Sequence, residues 1–188
     1  MTEIKCPRCG RAFEADVPTM LDATSRAAVM DGTAFVHECP SCGEKVLACG
    51  QFVYKDDELR LLAVLSADNL VSDGLPGWTC RLVSDIGSLM EKVRIAAAGL
   101  DDVAVELCKA LALMDMGIEA ELKFFRMEGS DGQLTFTYPS PEGKMEMIEA
   151  GQSLYANSLA IIGRNSAFRT ASSGLSRVDS LFIGGFLK

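Results

Sequence analysis

Apolar and polar side chains alternate through residues 11–17 (RAFEADV), the period of a strand with one buried face. A helix-like insert follows at DATSRAAVMDG (22–32), where Gly32 offers an end, and then TAFVHE (33–38) returns to strand character. Strand patterns continue in EKVLACGQFVY (44–54) and in the fuller apolar run LRLLAVLS (59–66). The stretch DNLVSDGLPGW (68–78) collects Gly, Pro, Asn and Asp and reads as a linker. From residue 84 the period lengthens to that of a helix. Asp85 or Ser84 can cap a first helix that carries Ile86, Leu89, Met90 and Val93 on one side. Gly99 suits its C-terminal end, and Asp101 the N-cap of a second helix, so 84–117 predicts a helical hairpin. In that second helix Asp102, Glu106 and Lys109 form one narrow polar stripe, and nearly every other position is apolar. Such a helix needs cover on several sides, either as a central core helix or as a packing face for another chain.

Beyond it, ELKFFRM (121–127), QLTFTY (133–138) and KMEMIEA (144–150) read as strands, with Asp131-Gly132 as a hairpin turn. QSLYANSLAIIGRNSAF (152–168) is a further helix candidate, and 172–188 has no assignable pattern. The expected fold class is α+β: an N-terminal four-cysteine zinc ribbon with short antiparallel strands, followed by a helical hairpin and a small antiparallel sheet. The expected division is 1–66 for the ribbon, 67–79 for the linker and 80–188 for the mixed unit.

The chain is 188 residues long, 48% hydrophobic and 7% aromatic, so its core is expected to be aliphatic, with nine methionines as adaptable filler. Its net charge is −8, and residues 1–56 hold six Lys/Arg against eight Asp/Glu. Nucleic-acid binders neutralise phosphates with a basic patch, and none is visible here. Thr2 and Glu3 follow Met1 in place of a basic and then apolar leader, and no apolar run is long enough to span a bilayer. A cytoplasmic location is expected, where seven cysteines are better used for metal and core packing than for disulfides.

The chemistry is concentrated in a doubled motif: Cys6-Pro-Arg-Cys9-Gly and Cys39-Pro-Ser-Cys42-Gly. Two residues between cysteines let one tight turn aim both sulfurs at a single ion, and the following glycine permits the positive φ of that turn. Two such turns face to face make a closed four-thiolate site suited to structural Zn²⁺, with no open position for a reacting water. An iron centre of the rubredoxin kind uses the same sulfurs, and spacing alone leaves it open. A redox dithiol wants a helix N-terminus, whereas strand-like residues follow both motifs here. Cys49, Cys80 and Cys108 read as core or strand residues, and His37 as a neighbour of the site.

This pattern, with FVHECPSCG (35–43) at its return, resembles the bacterial CpXC domain family over roughly residues 4–125. The resemblance implies zinc binding by Cys6, Cys9, Cys39 and Cys42, and implies no particular activity. No triad, nucleophile elbow, zinc-protease helix or phosphate loop is present in the sequence. The carboxylate pairs Asp56-Asp57, Asp101-Asp102 and Glu119/Glu121 are better explained by capping and solvated edges than by catalysis. The leading expectation is therefore a non-enzymatic interaction or assembly module with a protein partner or self-association. A nucleic-acid-binding ribbon, using Arg8, Arg11, Arg26 and Lys45, is the alternative. An enzyme assembled from carboxylates and arginines is a third reading.

Overall fold

The computed structural model describes residues 1–128 and 132–187. Strand β1 (Thr2–Lys5) pairs antiparallel with β2 (Ala12–Ala15). Short β3 (Met20–Asp22) leads into α1 (Arg26–Asp31), which ends at Gly32 with φ 83°, the left-handed C-terminal position the sequence predicted. Residues Thr33–Phe35 form a 3-10 turn where the pattern suggested a strand. The reason is local: the Asp31 carboxylate accepts hydrogen bonds from both the N–H and the hydroxyl of Thr33. The chain then forms the β4 (Val36–Glu38) and β5 (Lys45–Leu47) hairpin.

β6 (Phe52–Asp56) and β7 (Leu61–Leu65) follow as an antiparallel pair. After residues 66–78, β8 (Thr79–Val83) returns alongside β7 in parallel. The helical hairpin comes next, as α2 (Ile86–Ala97) and α3 (Asp102–Met116). Asp85 accepts from the Ser88 N–H at 2.8 Å and Asp101 from the Ala104 N–H at 2.9 Å, so both predicted caps are in place. β9 (Lys123–Glu128), β10 (Gln133–Pro139) and β11 (Met145–Ala150) make the small antiparallel sheet in the order β11-β10-β9. Asp131 of the predicted hairpin turn lies outside the described residues; the strands it connects pair up to Glu128 and Gln133. The last helical pattern is split into α4 (Gln152–Arg164) and α5 (Ser166–Ala171), because Asn165 takes an extended conformation and caps α5 through Ala167 N–H. β12 (Leu175–Ser176) and α6 (Ser180–Gly184) complete the chain's elements.

The larger sheet has five strands in the order β12-β8-β7-β6-β3, and only β6–β7 is antiparallel. It takes strands from both sides of residues 66–78. In β6 and β7 alternate residues are buried, so one face carries Phe52, Tyr54, Leu61, Ala63 and Leu65 against Val29, Phe35, Leu89 and Val93. α3 lies between two further clusters. Val105, Cys108 and Ala112 meet Phe124, Leu134 and Phe136, while Val103, Ala104 and Leu107 meet Ile162, Phe168, Val178 and Ile183. This is the central core helix. The expectation that its side between 101 and 114 stays open to a partner is corrected, because Asp102–Lys109 is buried throughout and large exposure begins at Met114.

The polar stripe of α3 is buried too. Arg81 of β8 grips Asp102 bidentately at 2.7 and 2.8 Å, and Lys92 of α2 reaches Asp102 at 3.0 Å and Glu106 at 3.3 Å. Lys109 binds Glu106 at 2.8 Å and Glu91 at 3.0 Å. Three cations and three anions thus alternate in a neutral ladder that joins β8, α2 and α3. Burial alone would raise the Asp102 carboxyl, but Lys92 and Arg81 outweigh it and hold it well below the carboxylate range.

A second buried carboxylate, Asp56, accepts from Arg26 at 2.7 and 2.9 Å, from the Tyr54 hydroxyl, and from the Glu58 and Leu59 N–H groups. Its neighbour Asp57 is exposed and paired with Lys55. Among the described residues no helix is long and apolar enough to cross a membrane.

Candidate metal centre

The two cysteine turns have the same backbone. In the first, Cys6 N–H donates to Arg11 C=O at 2.9 Å and Gly10 N–H to Cys6 C=O at 3.0 Å. In the second, Cys39 N–H donates to Glu44 C=O at 2.8 Å and Gly43 N–H to Cys39 C=O at 2.9 Å. Gly10 and Gly43 both have φ of 71°, the left-handed conformation that closes each turn and that a side chain would strain. Each turn sits at the tip of a hairpin, held by the Lys5–Ala12 pair in one and the Glu38–Lys45 pair in the other.

The hairpins face each other so that the four sulfurs converge. Cys6 Sγ lies 3.6 Å from Cys42 Sγ and Cys9 Sγ lies 3.7 Å from Cys39 Sγ, and all four are within 4.8 Å of one another. A regular tetrahedron with metal–sulfur bonds of about 2.3 Å has edges of about 3.8 Å. The donor set, soft and closed, fits a tetrahedral first-row metal ion and leaves no place for a substrate. Cys6 and Cys39 are buried, Cys42 is half-buried and Cys9 is exposed, so the cluster stands at the surface end of its module.

Electrostatics distinguish the sulfurs. The Cys9 and Arg8 N–H groups point at Cys6 and bring its thiol down to about 7, against the opposing effect of burial. At Cys42 the Glu44 N–H acts downward, but burial and the three neighbouring sulfurs push the thiol up to about 12. Four sulfurs this close cannot all carry charge without a cation among them. The apolar support is slight: Ile4, Ala15 and Val46 are the buried companions of Cys6 and Cys39, with Phe13, Val17 and Ala48 partly buried around them.

The other residues singled out in the sequence are not drawn to this cluster. His37 pairs with Val46 across its hairpin, and its Nε2 is buried without a hydrogen-bond partner among the described residues. Cys49 packs at the edge of the larger core, Cys80 is buried in β8, and burial pushes the Cys108 thiol up to about 11. Arg8 is paired with Glu44, and Arg26 with Asp56 and Glu58, so two of the four basic residues considered for phosphate contact are taken up by carboxylates. Asp101 and Asp102 serve as a helix cap and an ion-pair partner, and Glu121 pairs with Lys123. The buried ladder itself was missed in the sequence. Its signal was there: three charges one helical face apart in an otherwise apolar segment, with Glu91-Lys92 ahead of them.

A family model described as "CpXC protein" matches residues 4–109, more than half of the chain and ending within α3 rather than at 125 as the resemblance implied. No curated protein and no solved structure matches.

Proposed function

This chain belongs to the CpXC family, and from that premise we propose that Cys6, Cys9, Cys39 and Cys42 hold one structural zinc ion in a non-enzymatic interaction or assembly module. The observation that carries the metal half is the convergence of four sulfurs from two hairpins at tetrahedral spacing. Thiolates, a closed shell and a module with few buried apolar side chains are the setting in which zinc organises a fold. Sulfur ligation also fits iron, and the metal mass carried by the purified chain distinguishes the two.

The interaction half is supported by apolar side chains that the fold leaves outside. Alternation along β9 and β11 buries Phe124 and Ala150 and turns Phe125, Met145 and Met147 to the opposite face. Phe125 is flanked by Arg94 and Arg126 at 5.7 and 5.1 Å from its ring. Methionine, aromatic and arginine side chains together are the composition of interface cores. Native mass spectrometry of the purified chain tests both halves. One zinc per chain and a mass of more than one chain are expected; a metal-free single chain overturns the reading.

A further inference from the structure

Away from the cysteines, a cavity of about 280 Å³ opens between α2, α3, residues 120–123 and the start of α6. Its floor is the lower half of the buried ladder, Glu91, Lys92, Glu106 and Lys109, which are all at least nine-tenths buried. Leu113, Leu122, Val178 and Leu181 line its walls, and Leu181 stands at the rim with 84% of its surface exposed.

The charged groups around this cavity are nearly all committed elsewhere. The four floor residues neutralise one another or, for Lys92, also Asp102. Lys123 is paired with Glu121 at 2.7 Å, and also receives support from the Ser88 hydroxyl and Glu91. Asp85 and Asp179 use their carboxylates on the first turns of α2 and α6. Arg177 is the exception. It lines the cavity half-buried, and among the described residues its guanidinium makes no ion pair and no side-chain hydrogen bond.

We propose that this cavity binds a small amphiphilic carboxylate, its acid group held by the fork of Arg177 and its hydrocarbon body lodged against Leu113, Leu122, Val178 and Leu181. A planar guanidinium presents paired donors that match a carboxylate, and partial removal from water strengthens that match. The floor carries no net charge, and the wall carboxylates Asp85, Asp179 and Glu121 are held by helix N-termini or by Lys123, so Arg177 supplies the one uncommitted charge among the described lining residues. The apolar walls disfavour bare phosphate, which would leave them wet. The volume lies just below the usual range for ligand sites, the scale of a monocarboxylic acid with one short chain or one ring.

The 188-residue chain would be titrated with 3-phenylpropionate, hexanoate and benzoate, followed by NMR of the arginine side-chain N–H signals and by calorimetry. Saturable binding of at least one acid is expected, with the Arg177 signal moving and with 3-phenylpropionamide inert. R177Q should weaken binding at least about tenfold, the loss of one charge-assisted contact, and R177K should retain part of it. Circular dichroism would confirm that both variants stay folded, and Leu181→Asp, at the exposed rim, gives an independent loss of affinity. No saturable binding by any of the three acids up to about 10 mM, equal affinity in R177Q, or equal binding of the amide overturns the proposal. Each readout is independent of zinc content, so failure here leaves the metal assignment standing.

Discussion

Asp102 shows what a single side chain does in this core. Its two oxygens receive Arg81, and Lys92 lies 3.0 Å away, all three with little exposure. Asp102→Asn keeps the shape but removes the charge that both cations face. A buried pair broken on one side costs about 3–5 kcal/mol, and urea unfolding should show that loss with an unchanged slope. A variant as stable as the wild type would mean that water already screens the ladder.

Asp56 makes a matching statement in pH. Burial would raise its carboxyl, but hydrogen bonds from Arg26, Tyr54 and the Leu59 N–H hold it at about 2, below the ordinary 3.8. The sign follows from that depression: the contribution is complete above about pH 4 and lost as pH falls toward 2. Asp56→Asn should therefore be less stable at neutral pH, and its unfolding free energy should fall less steeply than the wild type's through that window. Parallel acid-unfolding curves would deny the ion pair its role. Neither carboxylate advertised this in the sequence, where a buried partner looks the same as a solvated one. The four cysteines did, because their spacing carries their geometry with it.

Among the elements, the two cysteine hairpins are the least self-sufficient. Strands of three and four residues with a few buried side chains bury too little to be stable alone. The sulfur cluster joins them, helped by a few apolar contacts around Ile4, Ala15 and Val46 and by the exposed Arg8–Glu44 pair. On the zinc reading, stripping the metal with a chelator should remove hydrogen-exchange protection from β1, β2, β4 and β5. Protection should persist in β6, β7, α2 and α3, whose apolar contacts do not involve the four clustered cysteines. Uniform loss across the chain, or none, would contradict a metal-organised module. The hairpin α2–α3 was legible in the sequence because its caps, Asp85 and Asp101, and its period agree. The Thr33–Phe35 turn was not, since an Asp31 side chain competing for the backbone outweighed an apolar run.

The arrangement of the whole molecule was the least legible level. α+β character, the small antiparallel sheet and the helical pair follow from local pattern. The parallel pairing of β7 with β8, across residues 66–78, and of β8 with β12, across most of the C-terminal half, depends on contacts that no window of sequence displays. One close approach holds that closure. Leu175 N–H donates to Ser72 C=O at 2.9 Å, and a Cβ at Gly174, where φ is 64°, would lie 2.6 Å from that same oxygen. Gly174→Ala should cost about 1–2 kcal/mol from the left-handed backbone alone, with the contact adding to it. Thermal unfolding would register this, and an unchanged midpoint would show that residues 72–74 and 174 are free to separate.

The guanidinium of Arg81 also donates to Ser172 C=O and to the Ser176 hydroxyl, at 3.0 Å each. A nascent chain emerging from the ribosome would reach β8 and α3 long before those acceptors exist. During that interval the β8 edge lacks its β12 neighbour and Arg81 lacks two of its acceptors, so that end of the charge ladder stays hydrated until residues 172–176 dock. Synthesis order therefore leaves this seam open to a holdase chaperone until the C-terminal segment is complete.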